Sequence, residues 1–190
     1  MEAALHAVLP QLLGTTSFEV HQHRCKQQLL ALLPQRLKGY AAWLPHTWRI
    51  VVIVDRDGDD CADVKARLER IARDARLATR SSPNRKGYVV VNRLAIEELE
   101  AWYFGDWEAV RTAYPRVSPT VPNKAGYRDP DAIAGGTWEA FERALQKAGY
   151  FANGLNKIEA ARTIAPHMSA EANASRSFQV LREALTEMTA

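Results

Sequence analysis

Trp48-Arg49-Ile50-Val51-Val52-Ile53-Val54-Asp55-Arg56-Asp57 is the stretch on which the fold turns. Ile50 to Val54 are five β-branched residues in a row, with no polar residue alternating among them. A strand buried on both faces, as in a parallel sheet, has this composition. The run ends in two carboxylates spaced i, i+2. Ligands of open α/β sheets bind at the carboxyl ends of the strands, so Asp55 and Asp57 stand where a site is expected. Mg²⁺ takes oxygen ligands, usually one or two carboxylates with water and substrate phosphate completing the shell. The acids just beyond have a second use. Gly58-Asp59-Asp60 is also turn and helix-capping chemistry, and Asp59 and Asp60 are read mainly that way.

Outward from that stretch, helical and extended patterns alternate. Val64, Leu68, Ile71 and Ala75 give the following helix its apolar stripe. Residues 80–86 read as a polar loop around Pro83, and residues 87–92 as a second buried strand. A helix is expected from residue 96 to residue 104, ended by Gly105. Upstream, residues 2–13 form an amphipathic helix that Pro10 should kink or shorten and Gly14 should end. Residues 17–21 alternate polar and apolar and read as a short strand. Leu29, Leu33, Leu37 and Tyr40 mark another helix, with Pro34 as a break or restart. This alternation predicts βαβ crossovers and a small parallel sheet flanked by helices. After Gly105 come four prolines within residues 114–136, then short helices near 137–148, 156–165 and 176–188. Residues 1–105 are therefore read as an α/β core and residues 106–190 as a helical extension packed on it, within one domain.

Composition sets the limits. With 190 residues, 47% hydrophobic and 25% charged, the chain can bury a real core. A net charge of +3 permits contact with nucleic acid but does not require it. Cys25 and Cys61 form no CxxC pair and imply no disulfide framework. No apolar stretch approaches 18 residues and no leader pattern opens the chain, so a cytoplasmic protein without membrane contact is expected.

Other candidates are weaker. Glu97 and Glu100 share a helical face at i, i+3, with Glu98 pointing elsewhere. They follow the second strand and so stand near the same edge as Asp55. His21, His23 and Cys25 alternate but lack a second ligand pair with zinc spacing. Lys26 could meet phosphate at the sheet edge. Lys157 and Arg176 could clamp a phosphate backbone from helix starts. The five tryptophans are read as core or hinge residues. No Walker loop, GxSxG or HExxH occurs.

Four segments in order resemble the bacterial family known as domain of unknown function 4276, regarded as Toprim-like. They are residues 52–60, residues 92–102 with Gly105-Asp106, residues 127–131 (Tyr-Arg-Asp-Pro-Asp), and Ser175-Arg176-Ser177-Phe178. The resemblance runs over nearly the whole chain. It implies a Toprim fold in which a DxD pair, here Asp55 and Asp57, holds Mg²⁺ or Mn²⁺ for phosphodiester chemistry of nuclease type. In such a site a glutamate serves as acid, base or second ligand. The family's own glutamate and first strand lie upstream of the helix that opens this chain, so the first strand is expected to be missing and only three strands are expected. Glu98 and Glu100 are the internal candidates for the acid–base role, and Lys26, Lys157 and Arg176 for substrate binding. The partners implied are nucleic acid and a partner ATPase. The competing reading is a non-catalytic module that binds one of these.

Overall fold

A computed structural model describes residues 1–55, 58–95 and 99–189. The chain divides into two compact units, one of residues 21–95 and one of residues 1–20 with 96–190. The opening helix α1 (Glu2–Leu13) belongs to the second.

In the first unit, helix α2 (Lys26–Trp43) leads into strand β1 (Ile50–Asp55). Helix α3 (Cys61–Asp74) then connects to strand β2 (Val90–Ala95). The two strands pair in parallel, from Ile50 opposite Val90 to Asp55 opposite Ala95. Strand period two puts Val52, Val54 and Val90 on one face. That face packs on Leu30, Leu33 and Leu37 of α2 and on Val64, Leu68, Ile71 and Ala72 of α3. Fully burying each such branched side chain contributes about 1.5–3 kcal/mol relative to exposure. The apolar run therefore holds both helices on the sheet. Asp60 starts α3, its Oδ1 accepting from the N–H groups of Ala62 (2.8 Å) and Asp63 (3.1 Å).

Three details depart from the pattern in the sequence. The second strand begins at Val90 rather than Gly87, because the N–H groups of Val89 and Val90 both donate to Ala78 O. Residues 17–21 are not a strand. The described residues hold two strands, both in one sheet, and give this segment no ladder partner. Five alternating residues carry a strand only when a neighbouring strand receives them. Pro34 does not break α2. The helix runs through it, held by the buried Leu30, Leu33 and Leu37, so packing outweighs the one hydrogen bond that proline removes.

Across the β2 edge, Glu69 of α3 accepts from Thr79 Oγ1 and from Asn92 Nδ2 (2.8 Å). Both donors are buried. Burial pushes the Glu69 carboxyl up, but hydrogen bonds from Thr79, Asn92 and Ser81, with the charge of Lys65, outweigh it and leave it below the ordinary glutamate value.

The second unit is helical. Besides α1 it holds α4 (Glu100–Gly105), α5 (Trp107–Ala113), α6 (Thr137–Lys147), α7 (Lys157–Ile164) and α8 (Arg176–Thr189). Every residue of α4 is buried. A helix buried on all sides belongs in the middle of a core. Trp102 meets Phe178 edge-on at 5.3 Å between ring centroids, and Phe104 stacks between Trp107 and Tyr127, 5.4 Å from each.

Replacing Glu69 with alanine strands two buried donors and should cost about 2 kcal/mol or more in urea unfolding at pH 7. The sign with pH follows from a depressed folded value. The stabilisation is present above the unfolded glutamate pKa of about 4.3 and is lost as pH falls through the folded one. The difference between wild type and Glu69→Gln should accordingly shrink in melts below about pH 4.

Candidate functional site

Asp55 is the last residue of β1, half-buried and opposite Ala95. It therefore stands at the carboxyl edge of the parallel pair. Its partner in the acidic pair, Asp57, lies outside the described residues, as do Glu97 and Glu98. Arg93 pairs with Ile53 in the register, so Arg93 and Asp55 leave the same sheet face. One strand spacing and two residue rises separate their Cα atoms by roughly 8 Å. The Arg93 guanidinium turns to the strand edge, where Nη1 donates to Asn92 O at 3.0 Å.

Lys26 arrives at the loop that follows β1. Its Nζ lies 2.8 Å from Asp59 Oδ2, with the Lys26 side chain 6% exposed. Lys26 is also the first residue of α2, whose first turn has no acid and whose N-cap, Cys25, makes no side-chain cap. A lysine there adds to the positive end of the helix dipole. Asp59 supplies the opposing charge, so its carboxylate is an ion-pair partner rather than a cap.

The later candidates separate from one another. Glu100 opens α4 and is 3% exposed. Its Oε1 lies 3.8 Å from Lys157 Nζ, which also sits 5.0 Å over the Trp138 ring. Charge on a buried carboxylate needs such a partner. Burial and the Glu100 charge together push the Tyr103 hydroxyl well above its usual pKa. Arg176 turns outward and pairs with Glu183 at 2.8 Å. The sequence thus offered Glu100 and Lys157 as separate catalytic and binding residues, and they meet as one ion pair. Among the described residues no three His, Cys, Asp or Glu side chains gather as a metal group.

A polar cleft of about 210 Å³ opens beside β2, lined by Lys65, Glu69, Arg80, Ser81, Asn92 and Arg93. Its lining carries three cations, Lys65, Arg80 and Arg93, and one anion, Glu69. Nothing in the spacing of these residues flags it, since α3, the turn at 80–81 and β2 each supply part.

Residues 99–106, 127–131 and 175–178 converge in the helical unit. Asp131 Oδ1 accepts from Ser177 Oγ at 2.7 Å and Ser175 Oγ at 3.0 Å, and Asp131 Oδ2 accepts from the N–H groups of Arg176 and Ser177. Those N–H groups are at the start of α8, so the aspartate caps that helix from a distant loop. Trp102 Nε1 donates to Ser177 Oγ at 3.1 Å, and Asn173 Nδ2 donates to Trp102 O at 2.8 Å. Asp106 caps α5 through Ala109 N and accepts from Ser169 N. Gly105 is required by contact: a Cβ there would lie 2.2 Å from Asn173 Oδ1 and 2.6 Å from Ser175 N. These segments read as motifs because they interlock.

A two-stranded parallel α/β unit with an acidic carboxyl edge, joined in one chain to a helical unit locked by buried polar contacts, is the class that fold and site define. The chain belongs to the family described as Domain of unknown function (DUF4276), whose sequence model matches residues 1–186. No curated protein and no solved structure matches it. No helix among the described residues is long and apolar enough to cross a membrane.

Asp131→Ala leaves four donors at the start of α8 without their acceptor and should lower unfolding stability by about 3 kcal/mol or more. Gly105→Ala should cost about 1–3 kcal/mol through overpacking. Both losses are read as urea midpoints and should be the same with and without Mg²⁺.

Proposed function

We propose that this protein is a Mg²⁺- or Mn²⁺-dependent, Toprim-like protein that acts on phosphodiesters, with an activity of nuclease type. What carries the reading is the place of Asp55: a half-buried carboxylate at the carboxyl edge of a parallel strand pair, with Arg93 on its sheet face and Lys26 at the loop that follows.

The donor chemistry fits a hard divalent cation. Asp55 is an oxygen ligand on a rigid strand end, and Asp57, two residues on, is the second carboxylate of the pair. Asp55 and Asp57 would hold the cation. Bound there, the metal would supply charge for the developing phosphate and lower the pKa of a water. The protein's own part is positioning. Arg93 leaves the same sheet face as Asp55 and carries its positive charge to the outer edge of β2. Lys26 and the start of α2 add another, held in reserve by Asp59 until a phosphate competes for it. A cytoplasmic setting suits a chain with two unpaired cysteines.

One observation favours the second reading, a non-catalytic module for nucleic acid or a partner ATPase. Glu100 is buried against the Lys157 ammonium, which is the posture of a structural ion pair.

The test is a cleavage assay with labelled single- and double-stranded DNA and RNA in Mg²⁺ and in Mn²⁺. Wild type should cleave, and Asp55→Asn should lose more than about 100-fold, since loss of an outer partner alone costs about 10–100-fold in metal affinity or activity. Binding without cleavage in either metal would overturn the nuclease reading and select the module.

A further inference from the structure

From residue 20 to residue 54 the chain contains no Asp or Glu, but five cations (Arg24, Lys26, Arg36, Lys38 and Arg49) and three histidines (His21, His23 and His46). The formal charge of that segment is therefore +5 with the histidines neutral, in a chain whose total is +3. Most of the segment is α2 and the two stretches that flank it. Counter-charge from the rest of the unit reaches Lys26, which Asp59 takes.

The same segment carries exposed aromatic surface. Trp43 is 59% exposed and Trp48 51%, against 1% for Trp102 and 6% for Trp107 in the helical core. Tyr40 and Trp43 lie 5.5 Å apart between ring centroids, and Trp43 and Trp48 lie 6.3 Å apart, edge-on. In edge-on packing one ring presents its rim to its neighbour, so the pair does not consume both ring faces. Of the aliphatic residues of α2, Leu30, Leu33 and Leu37 are in the core of the unit, and Leu32 is 38% exposed one turn before Arg36.

Charge and rings fall in one row. Arg36, Tyr40 and Trp43 are spaced i, i+4, i+7, which is a single stripe of α2. Residues 21–23 run beside that stripe: His21 Nε2 is 3.2 Å from Tyr40 Oη, and burial, then the charges of Arg36 and His21, hold His23 below the usual histidine value. Beyond Trp43, Arg49 Nη1 donates to the carbonyls of His46 and Trp48, which fixes its guanidinium at the Trp48 end. The order along the row is His23 with Arg36, His21 with Tyr40, Trp43, then Trp48 with Arg49.

We propose that this row, formed by Arg36, Tyr40, Trp43, Trp48 and Arg49, is a binding track for single-stranded nucleic acid. Sequence-tolerant single-strand binding needs a basic path for the backbone and aromatic faces on which unpaired bases stack. Both are present on one stripe. A duplex keeps its base faces stacked inside and offers the rings nothing, so charge alone would hold it. A lipid surface is the poorer fit, because membrane insertion needs a broad apolar helix face behind the tryptophans, and with Leu30, Leu33 and Leu37 buried the stripe offers Leu32 beside the charge of Arg36. The inference rests on the proposed phosphodiester reading only for what the substrate is: it makes that substrate single-stranded. The track itself stands on the residues of 21–49.

Binding is measured on the full chain in EDTA, where no cleavage can occur. The probes are a fluorescein-labelled deoxythymidine 20-mer, the corresponding uridine 20-mer, a 20-base-pair duplex, and vesicles of phosphatidylserine and phosphatidylcholine. Wild type should bind a single strand more tightly than the duplex, with quenching of tryptophan fluorescence. Trp43→Ala and Trp48→Ala should each weaken single-strand binding by about tenfold and leave the thermal melt unchanged, since both side chains are exposed. Arg36→Gln with Arg49→Gln should flatten the slope of log K against log salt by about 0.7 for each phosphate no longer neutralised. Tryptophan variants that bind as wild type does, a duplex bound as tightly as the strand, or vesicles bound in place of oligonucleotide would each overturn the proposal. Asp55→Asn keeps the two readings apart, because it should abolish cleavage and leave binding in EDTA intact.

Discussion

A single carboxylate holds the helical unit in register. Asp131 comes from a proline-rich loop, yet it receives two backbone N–H groups and two hydroxyls at the start of α8. The first turn of any helix leaves N–H groups with no partner inside the helix. Where that turn is packed against other elements, water is a poor substitute and a side chain must be brought in. Ser177 relays the arrangement to Trp102, and Asn173 ties the same tryptophan's carbonyl. The buried α4 is thereby fixed to α8 by polar contacts at one end, with Phe178 against Trp102 beside them. Loss of the carboxylate would strand four donors at the start of α8 at once, which is why an irregular loop can carry so fixed a residue.

At the acidic edge of the sheet, charge is arranged differently. Nothing at Asp55 is needed to cap a helix, since Asp60 performs that task for α3. Asp59 is occupied by Lys26. Among these neighbouring acids, Asp60 is a cap, Asp59 an ion-pair partner, and Asp55 the strand-end carboxylate. The motif segments of the helical unit have the opposite character. Their polar groups find partners in the same unit, and their spacing in sequence records packing. Resemblance over a whole chain mixes these two kinds of signal, and the hydrogen-bond partners separate them.

Much of the architecture was legible because β-branched runs and helical stripes state their burial directly. β1, α3 and the three last helices fall within a residue or two of their sequence patterns. The misplacements share a cause. The limits of β2 depend on where Ala78 meets Val89 and Val90, a contact that no local pattern encodes. Residues 17–21 have the alternation of a strand but receive no ladder. Pro34 is a local breaker overruled by three buried leucines. At the site, Asp55 was readable from its strand, and Asp60 from cap chemistry. That Glu100 and Lys157 meet was not readable, because 57 positions separate them and neither sits in a pattern that names the other. The tryptophans misled in a specific way. Size and apolarity argue for the core, and Trp102 and Trp107 obey. Trp43 and Trp48 do not, and the missing clue was electrostatic: they lie in the longest stretch without a carboxylate.

That stretch has a geometric consequence for the sheet edge. Helix α2 spans 18 residues, about 27 Å. Its first residue, Lys26, is at the loop after β1, the strand that Asp55 ends, and its last, Trp43, is within the exposed aromatic row. One helix therefore joins a ring-bearing, acid-free end to the carboxyl edge of the strand. A polyanion drawn to the first would be led along Arg36 toward the positive start of α2, where Lys26 is already paired with an exchangeable carboxylate. Attraction along the helix and repulsion by Asp55 at its end oppose one another unless a cation neutralises the aspartate. On the proposed reading, binding at the aromatic row needs no metal, whereas the approach of a phosphate to Asp55 itself would need one, and that would tie the basic helix to the acidic edge.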